Sequence, residues 1–152
     1  MSKTPERRAA AKDIANAEHV LRLVAEGIAS VKGDQFFKVL VRLLATALGA
    51  RMAFASEFTD TKSRVRTLAC WEVDRFVDNF EYDLAGTPCE QVLNGDIGYY
   101  PSSVQECFPR DREDLAKIGA ESYLAIPMRD YNGEVLGHLA AIDDKPMPEA
   151  MV

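Results

Sequence analysis

The clearest pattern in the sequence is a pair of apolar runs, at residues 123–128 and 135–142, separated by a polar segment. Asn132 and Gly133 lie at the centre of that segment, and both residue types tolerate the positive φ angles of a tight reversal. The pattern therefore predicts a β-hairpin. Because the two runs hardly alternate between apolar and polar residues, we expect both strands to be covered on both faces, in the middle of a sheet.

A long helix is predicted near the N-terminus. Apolar residues from Ala10 to Val31 recur at alternating spacings of four and three, which is a heptad pattern and predicts a helix over residues 5–31. Its apolar side can cover the sheet of the same chain, or residues 1–31 can pair with a second copy, and the pattern leaves both open. In the second case the expected dimer interface consists of Ile14, Ala17, Leu21, Val24 and Ile28.

A second helix and two strands are predicted next. Gly33 and Asp34 separate the first helix from an amphipathic stretch that runs to residue 48, where Gly49 ends it. Residues 51–58 and 64–71 flank a polar turn and predict a hairpin. Residues 80–84 alternate cleanly between apolar and acidic side chains, which predicts an extended segment with one buried face.

Short helices are predicted between that segment and the final hairpin. Thr87, Pro88 and Glu90 have the pattern of a helix start, with a capping threonine, a proline at the first helical position and a glutamate that completes a capping box. Residues 97–100 predict a short strand and residues 108–118 another helix, whose charged residues 110–114 fit a solvated first turn. The element order predicts an α+β domain of three layers. A mostly antiparallel sheet would lie between the N-terminal helices and the short helices of the connection.

Composition and charge narrow the classes of partner. The 152 residues are 47% hydrophobic and 28% charged, as in ordinary globular domains. The net charge of −6 argues against nucleic acid, because phosphate contacts need a basic face. Cys70, Cys89 and Cys107 cannot all pair, which favours reduced thiols. With no apolar stretch typical of a signal or membrane segment, we expect a cytoplasmic chain or the cytoplasmic part of a longer protein.

Three stretches of the chain resemble the GAF domain, a small-molecule sensing module of bacterial signalling proteins. They read LAGTPCEQVL at 84–93, GAESYLAIPMRD at 119–130 and NGEVLGHLAAID at 132–143. The resemblance implies a domain over residues 20–148, a pocket between the sheet and the helical connection, and often a parallel dimer through terminal helices. The GAF domains of sensor histidine kinases are the most similar in character. The patterns of cyclic-nucleotide-binding and bilin-binding GAF domains are absent.

The expected pocket would be surrounded by aromatic, thiol and imidazole side chains. The expected ligand-binding residues are Trp71, Phe76, Phe80, Tyr82, Cys89, Tyr99, Phe108 and His138. Each also fits a purely structural role, since aromatic residues at strand spacing are commonly core and a histidine on a central strand is commonly a hydrogen-bonded core residue. Two distant histidines predict no metal site, no catalytic set is visible, and the sequence identifies no cofactor.

The sequence therefore predicts a sensory domain that is dimeric and passes a signal to an output domain beyond residue 152, with a histidine kinase as the first expectation. No catalysis is expected from the domain itself. An alternative is a stand-alone thiol reductase of free methionine sulfoxide, with Cys89 as the nucleophile at a helix start and Cys70 or Cys107 as the resolving thiol. A further alternative is a ligand-free module that only pairs chains.

Overall fold

The computed structural model describes residues 35–147. The helix predicted over residues 5–31, with its five dimer-interface positions, lies outside the described residues. The elements within them are, in chain order, α1 (Gln35–Leu48), β1 (Met52–Phe58), β2 (Arg64–Glu72), β3 (Arg75–Val77), β4 (Glu81–Asp83), α2 (Cys89–Leu93), β5 (Gly98–Tyr100), α3 (Val104–Cys107), α4 (Arg112–Lys117), β6 (Ser122–Arg129) and β7 (Val135–Asp143).

The seven strands form one antiparallel sheet in the order β3-β2-β1-β7-β6-β5, with β4 also pairing with β2. The predicted hairpins are both present, as β1–β2 and β6–β7. Because β7 also pairs with β1, the last hairpin is joined to the first along the middle of the sheet. The predicted α+β class and the mostly antiparallel sheet are confirmed.

One face of the sheet is covered by α1, which packs mainly on β1 and β2. The side chains at this contact are small. Ala53, Ala55 and Ala69 on the strands lie against Val41 and Ala45 on the helix. Such short side chains allow a helix to approach the strands closely, and larger, partly buried side chains pack against them.

The opposite face is covered by the connection, where α2 packs on β6 and β7. Its buried cluster contains much larger side chains, including Met52, Phe54, Leu115, Tyr123 and Ile142. The predicted arrangement of three layers is therefore present, with helix α1 on one side and the short helices on the other.

The β6–β7 hairpin is less completely covered than the sequence predicted. Its inner half is buried, as expected, but near the turn Ile126 is 45% exposed and Leu136 is 51% exposed. The reason is that α1 lies mainly over β1 and β2, so the described helices do not extend over the outer end of the hairpin.

Two local predictions in the connection are wrong. Residues 108–118 are not one helix, because α4 starts only at Arg112 and the backbone N–H of Asp111 closes a turn on Phe108 O at 3.0 Å. The capping box at Thr87 does not form either. The backbone N–H of Thr87 donates to Leu84 O at 3.1 Å, so it is not available to the Glu90 side chain.

Candidate functional site

A cavity of about 450 Å³ lies between the sheet and the connection. Met52, Phe54 and Ile142 form its wall on the sheet side, and Leu115 and Ile118 form the wall on the α4 side. A pocket of this size with mostly apolar walls and a few polar groups has the usual form of a small-molecule site. It occupies the position that the resemblance to GAF domains implied for a pocket.

The floor of the cavity is built around the thiol of Cys89. Tyr82 on β4 and Tyr123 on β6 both donate their hydroxyl protons to Cys89 Sγ, at 3.3 and 3.1 Å. The position of the thiol is fixed by the start of α2, where the backbone N–H of Cys89 donates to Thr87 Oγ1 at 3.3 Å. Two neighbouring segments, β4 and the start of α2, therefore meet the distant strand β6 at one sulfur atom.

The hydrogen bonds continue behind the floor to His138 and Ser56. The Tyr82 hydroxyl lies 3.4 Å from His138 Nε2, and His138 Nδ1 is hydrogen-bonded to Ser56 Oγ. The backbone N–H of His138 also donates to Ser56 Oγ, at 3.2 Å. Strands β1 and β7 approach so closely here that a Cβ at Gly137 would collide with Ser56 O, which explains the glycine beside the histidine.

The donor and the acceptor of each hydrogen bond in this series of groups can be assigned. Tyr82 has one hydroxyl proton, which it gives to Cys89, so His138 Nε2 donates to the Tyr82 oxygen. His138 Nδ1 then accepts from the Ser56 hydroxyl. In this order the buried side chains of the floor are all satisfied, and the hydrogen bonds hold the Tyr82 ring in the cavity wall.

Burial keeps the titratable groups of the floor uncharged. It lowers the pKa of His138 to about 4, so the imidazole is neutral at neutral pH. It also raises the pKa of Cys89 to about 11, although the hydrogen bonds from Tyr123 and Tyr82 oppose the rise. The pKa of Tyr82 and of Tyr123 is raised well above its ordinary value, again chiefly by burial. Cys89 is therefore a neutral thiol rather than a thiolate.

The rim of the cavity carries charged side chains. Asp83 is paired with Arg64 at 2.8 Å, and Asp114 lies 3.8 Å from Lys117. Asp111 differs from both, since partial burial, with a further contribution from Asp114, raises the pKa of its carboxyl to about 6. Asp111 thus holds its charge at neutral pH at a cost in free energy.

Three of the eight predicted ligand-binding residues line the cavity, namely Phe80, Tyr82 and Cys89. His138 does not line it but is fully buried directly behind Tyr82, where its ring meets Phe54 edge-on at 5.3 Å. Phe108 also lies outside the lining and packs against the ring of Tyr100, with centroids 5.0 Å apart.

The other three predicted residues lie away from the cavity. Trp71 and Phe76 contact each other at 4.9 Å on the α1 side, where Arg42 lies over Trp71 and Lys38 over Phe76. Because successive strand residues point to opposite faces, Cys70 points to the cavity side and Trp71 does not. Tyr99 is on β5, where it pairs with Leu124 of β6.

Sequence reasoning missed the α4 side of the site. Arg110, Asp111 and Asp114 were interpreted as a solvated helical turn, yet all three line the cavity. The available signal was the apolar pair Leu115 and Ile118, which directs this side of α4 toward the sheet and brings the preceding turn with it.

The family model described as the GAF domain matches residues 33–151. This chain belongs to the GAF family. No curated protein matches the sequence.

Solved GAF domains share the fold at low sequence identity. The GAF domain of a phosphoenolpyruvate-protein phosphotransferase from Coxiella burnetii has a TM-score of 0.70 at 16% identity, covering 90% of this chain and 84% of that one. The corresponding domain from Acinetobacter has a TM-score of 0.68 at 17% identity, covering 88% and 81%.

A longer relative is the chromophore-binding domain of a Stigmatella aurantiaca bacteriophytochrome. It has a TM-score of 0.66 at 14% identity, and the match covers 88% of this chain but only 54% of that one. At these identities the likeness shows the fold alone.

Two further findings concern residues 35–147. No helix in this range is both long enough and apolar enough to cross a membrane. Within the same range, no three His, Cys, Asp or Glu side chains come together in a way that could hold a metal ion.

Proposed function

We propose that this GAF domain binds a small molecule in the cavity between the sheet and the connection, and that it is the regulatory input of a bacterial signal-transduction protein. The observation that supports this proposal is the cavity itself, with its apolar walls and its hydrogen-bonded floor at Cys89. A cavity of this kind is the default position for a small-molecule ligand.

The proposed mechanism is a shift between conformational populations. The walls come from the sheet on one side and from the loosely built connection on the other, whose helices α2, α3 and α4 are all short. A ligand that contacts both sides stabilises the conformation in which the connection is closed on the sheet. Only this differential binding can bias an output.

The finer part of the proposal is that the parent protein is a cytoplasmic sensor histidine kinase that dimerises through the N-terminal helix. It rests on the resemblance to kinase GAF domains and on the apolar spacing of Ile14, Ala17, Leu21, Val24 and Ile28. Reading the gene past codon 152 tests the kinase. A reading frame that continues into a phospho-accepting histidine and an ATP-binding domain is expected, and any other output domain contradicts it.

Native mass spectrometry tests the dimer. We expect a dimer for the full chain and a monomer for the double variant Leu21→Asp, Ile28→Asp, because two charges in an apolar seam cannot be buried. A strict monomer of the unaltered chain at micromolar concentration contradicts the proposed pairing.

The thiol-reductase alternative is not supported by the chemistry of the floor. A nucleophilic cysteine needs a lowered pKa, whereas burial raises the pKa of Cys89 to about 11 and that of Cys70 to about 12. Cys107, the third thiol, is exposed. If the domain nevertheless reduced free methionine sulfoxide and the Cys89→Ser variant did not, this alternative would replace the proposed function.

A thermal-shift screen of the full chain against a metabolite panel tests ligand binding. At least one compound should raise the melting temperature, and the variant Ala85→Trp, which adds a large side chain at the cavity lining, should abolish the shift. Ala116→Trp is the matched control, since Ala116 is exposed on α4 and does not line the cavity. A shift that survives in Ala85→Trp contradicts the site, and a panel without any shift favours a ligand-free pairing module.

A further inference from the structure

One carboxylate of the cavity has no partner in the part of the chain that the structure describes. Among residues 35–147, no hydrogen bond or ion pair reaches the carboxylate of Asp111, whose only contacts of this kind are through its backbone. The other two acids of the lining differ, because Asp83 pairs with Arg64 and Asp114 with Lys117. Asp111 is therefore the one acid of the cavity lining whose carboxylate has no ion-pair partner within residues 35–147.

This carboxylate acts on the floor of the cavity. Burial is the main cause of the raised pKa of Cys89 and of Tyr82, and the charge of Asp111 adds a smaller contribution to both, which places it within electrostatic range of these two groups. It is also partly desolvated, because burial raises its own pKa. Asp111 is thus partly shielded from solvent at the lining of a mostly apolar cavity.

The nearest arginine in sequence does not neutralise Asp111. The stem of Arg110 lies along the backbone of Gly86, with its Cβ, Cδ and Nε 3.0 to 3.2 Å from where a Cβ on that glycine would be. The Arg110 side chain is exposed at the rim and forms no ion pair with Asp111. The charge that remains to be matched in the partly buried part of the site is negative.

We propose that the cavity selects a ligand with a protonated amine, which pairs with the Asp111 carboxylate while an apolar or aromatic body lies against Met52, Leu115 and Ile142. This inference rests on the proposed function, since it assumes that a small molecule binds here. A partly desolvated charge without a partner is unfavourable, and a ligand cation removes that cost on binding. A neutral molecule of the same shape cannot do so, and an anionic group placed at the Asp111 carboxylate is repelled.

Three probes of matched size test the selection. Phenethylamine carries the cation, 2-phenylethanol is its neutral analogue and 3-phenylpropionate is an anionic one. Ligand-observed NMR on the full chain gives the three affinities at neutral pH. We expect phenethylamine to bind about tenfold more tightly than 2-phenylethanol, as is typical of a charge-assisted hydrogen bond at a partly exposed site, and 3-phenylpropionate to bind most weakly.

The variant Asp111→Asn tests the residue. Asparagine is as good a helix N-cap as aspartate, so the start of α4 should be preserved while the charge is lost. We expect this variant to bind phenethylamine about tenfold more weakly and 2-phenylethanol as before. The matched control is Asp114→Asn, which removes an equal charge from an acid that already has Lys117 nearby and should change the amine affinity much less.

A pH titration gives a second measurement. The titratable and charged groups that share the cavity with Asp111 are Tyr82 and Asp83 from β4, Cys89 from α2, Tyr123 from β6, and Arg110 and Asp114 beside it in the chain. Asp111 has a pKa of about 6, so the amine affinity should fall as the pH drops through this value. Asp111→Asn should lose this step, and saturating phenethylamine should lower the pKa of Asp111 in carbon-13 NMR of its carboxyl group.

The outcomes separate this inference from the proposed function. If 2-phenylethanol or 3-phenylpropionate binds as tightly as phenethylamine, or if Asp111→Asn leaves amine binding unchanged, the inference is wrong while ligand binding in the cavity stands. If none of the three probes binds, the inference is also wrong, and the metabolite screen with Ala85→Trp decides the proposed function independently.

Discussion

The two faces of the sheet are covered by different kinds of side chain. Where α1 packs, the strands carry the buried alanines Ala53, Ala55 and Ala69, and the contact is apolar. On the other face the strands carry Phe54, Tyr123 and other large side chains together with a buried polar chain, and the covering helices are short. Small side chains allow a helix to approach closely, whereas large ones and short helices leave a space that a ligand can use.

The comparison also shows where this domain tolerates polar groups. Ser56, His138, Tyr82, Cys89 and Tyr123 are linked by hydrogen bonds on the cavity side only. Buried polar groups are costly unless each one is satisfied, so such a chain fixes the geometry of its neighbours. We interpret it as the frame that holds Tyr82 and Cys89 in position at the cavity floor.

The largest expected effect concerns Ser56, which is at one end of this series of hydrogen-bonded side chains. Ser56→Ala leaves both the backbone N–H and Nδ1 of His138 without a partner in a fully buried position. We expect a loss of roughly 2–6 kcal/mol in the free energy of unfolding, measured with urea, because each of the two orphaned buried groups costs about 1–3 kcal/mol. Ser102→Ala, which removes an exposed hydroxyl, is the control and should change stability by less than about 0.5 kcal/mol.

The second prediction is a loss of stability in mild acid. The pKa of His138 is lowered from 6.5 to about 4 in the folded protein, so the unfolded chain binds the proton first. The stability that comes from the neutral imidazole is complete above the unfolded pKa and is lost as the pH falls toward 4, by about 3 kcal/mol at most. The variant His138→Gln should flatten the unfolding free energy over this window, and an unchanged profile contradicts the assignment.

The third prediction makes the same substitution on both faces. Ala55→Leu adds volume to the layer under α1, where Ala55 is fully buried, and should cost about 1–3 kcal/mol. Ala85→Leu adds the same volume at the cavity, where Ala85 is exposed, and should cost less than about 0.5 kcal/mol. Equal losses in the two variants would mean that the cavity side is packed as tightly as the helix side.

The smallest expected effect is a gain in stability. The pKa of Asp111 is raised above its ordinary value of 3.8 to about 6, so its charged form destabilises the fold above that pKa, and the penalty disappears as the pH falls below the unfolded value. Asp111→Asn should therefore stabilise the protein at neutral pH. Because the carboxyl is partly exposed, we expect a gain of at most about 1 kcal/mol, and none in acid.

The strands and helices of the fold could be predicted from the sequence better than the cavity. The β6–β7 hairpin follows from two local features, the Asn132-Gly133 turn and the apolar runs beside it, and both act without help from the rest of the chain. The cavity depends on contacts between distant segments. No local pattern shows that Tyr82 and Tyr123 meet at one thiol, or that the turn before α4 is folded inward.

The differences between the expected and the observed positions of the site residues have a common physical cause. Trp71 and Phe76 were expected in the pocket because large aromatic residues often line pockets, but the alternation along β2 places Trp71 on the α1 side, where Arg42 covers it. Asp111 was interpreted as solvated because its neighbours are charged. In both cases the surroundings of the residue depend on which face of its strand or helix it lies on. The residue type alone does not predict that face.

The measurement that tests the central claim most directly is methyl NMR of the full chain with a compound that raises its melting temperature. The two faces carry separate methyl reporters. We expect the chemical shifts of Met52, Leu115 and Ile142 to change on the cavity side, while those of Val41 and Ala55 under α1 stay constant. Changes confined to the α1 face, or spread evenly over both faces, would contradict the claim that the cavity is the ligand site.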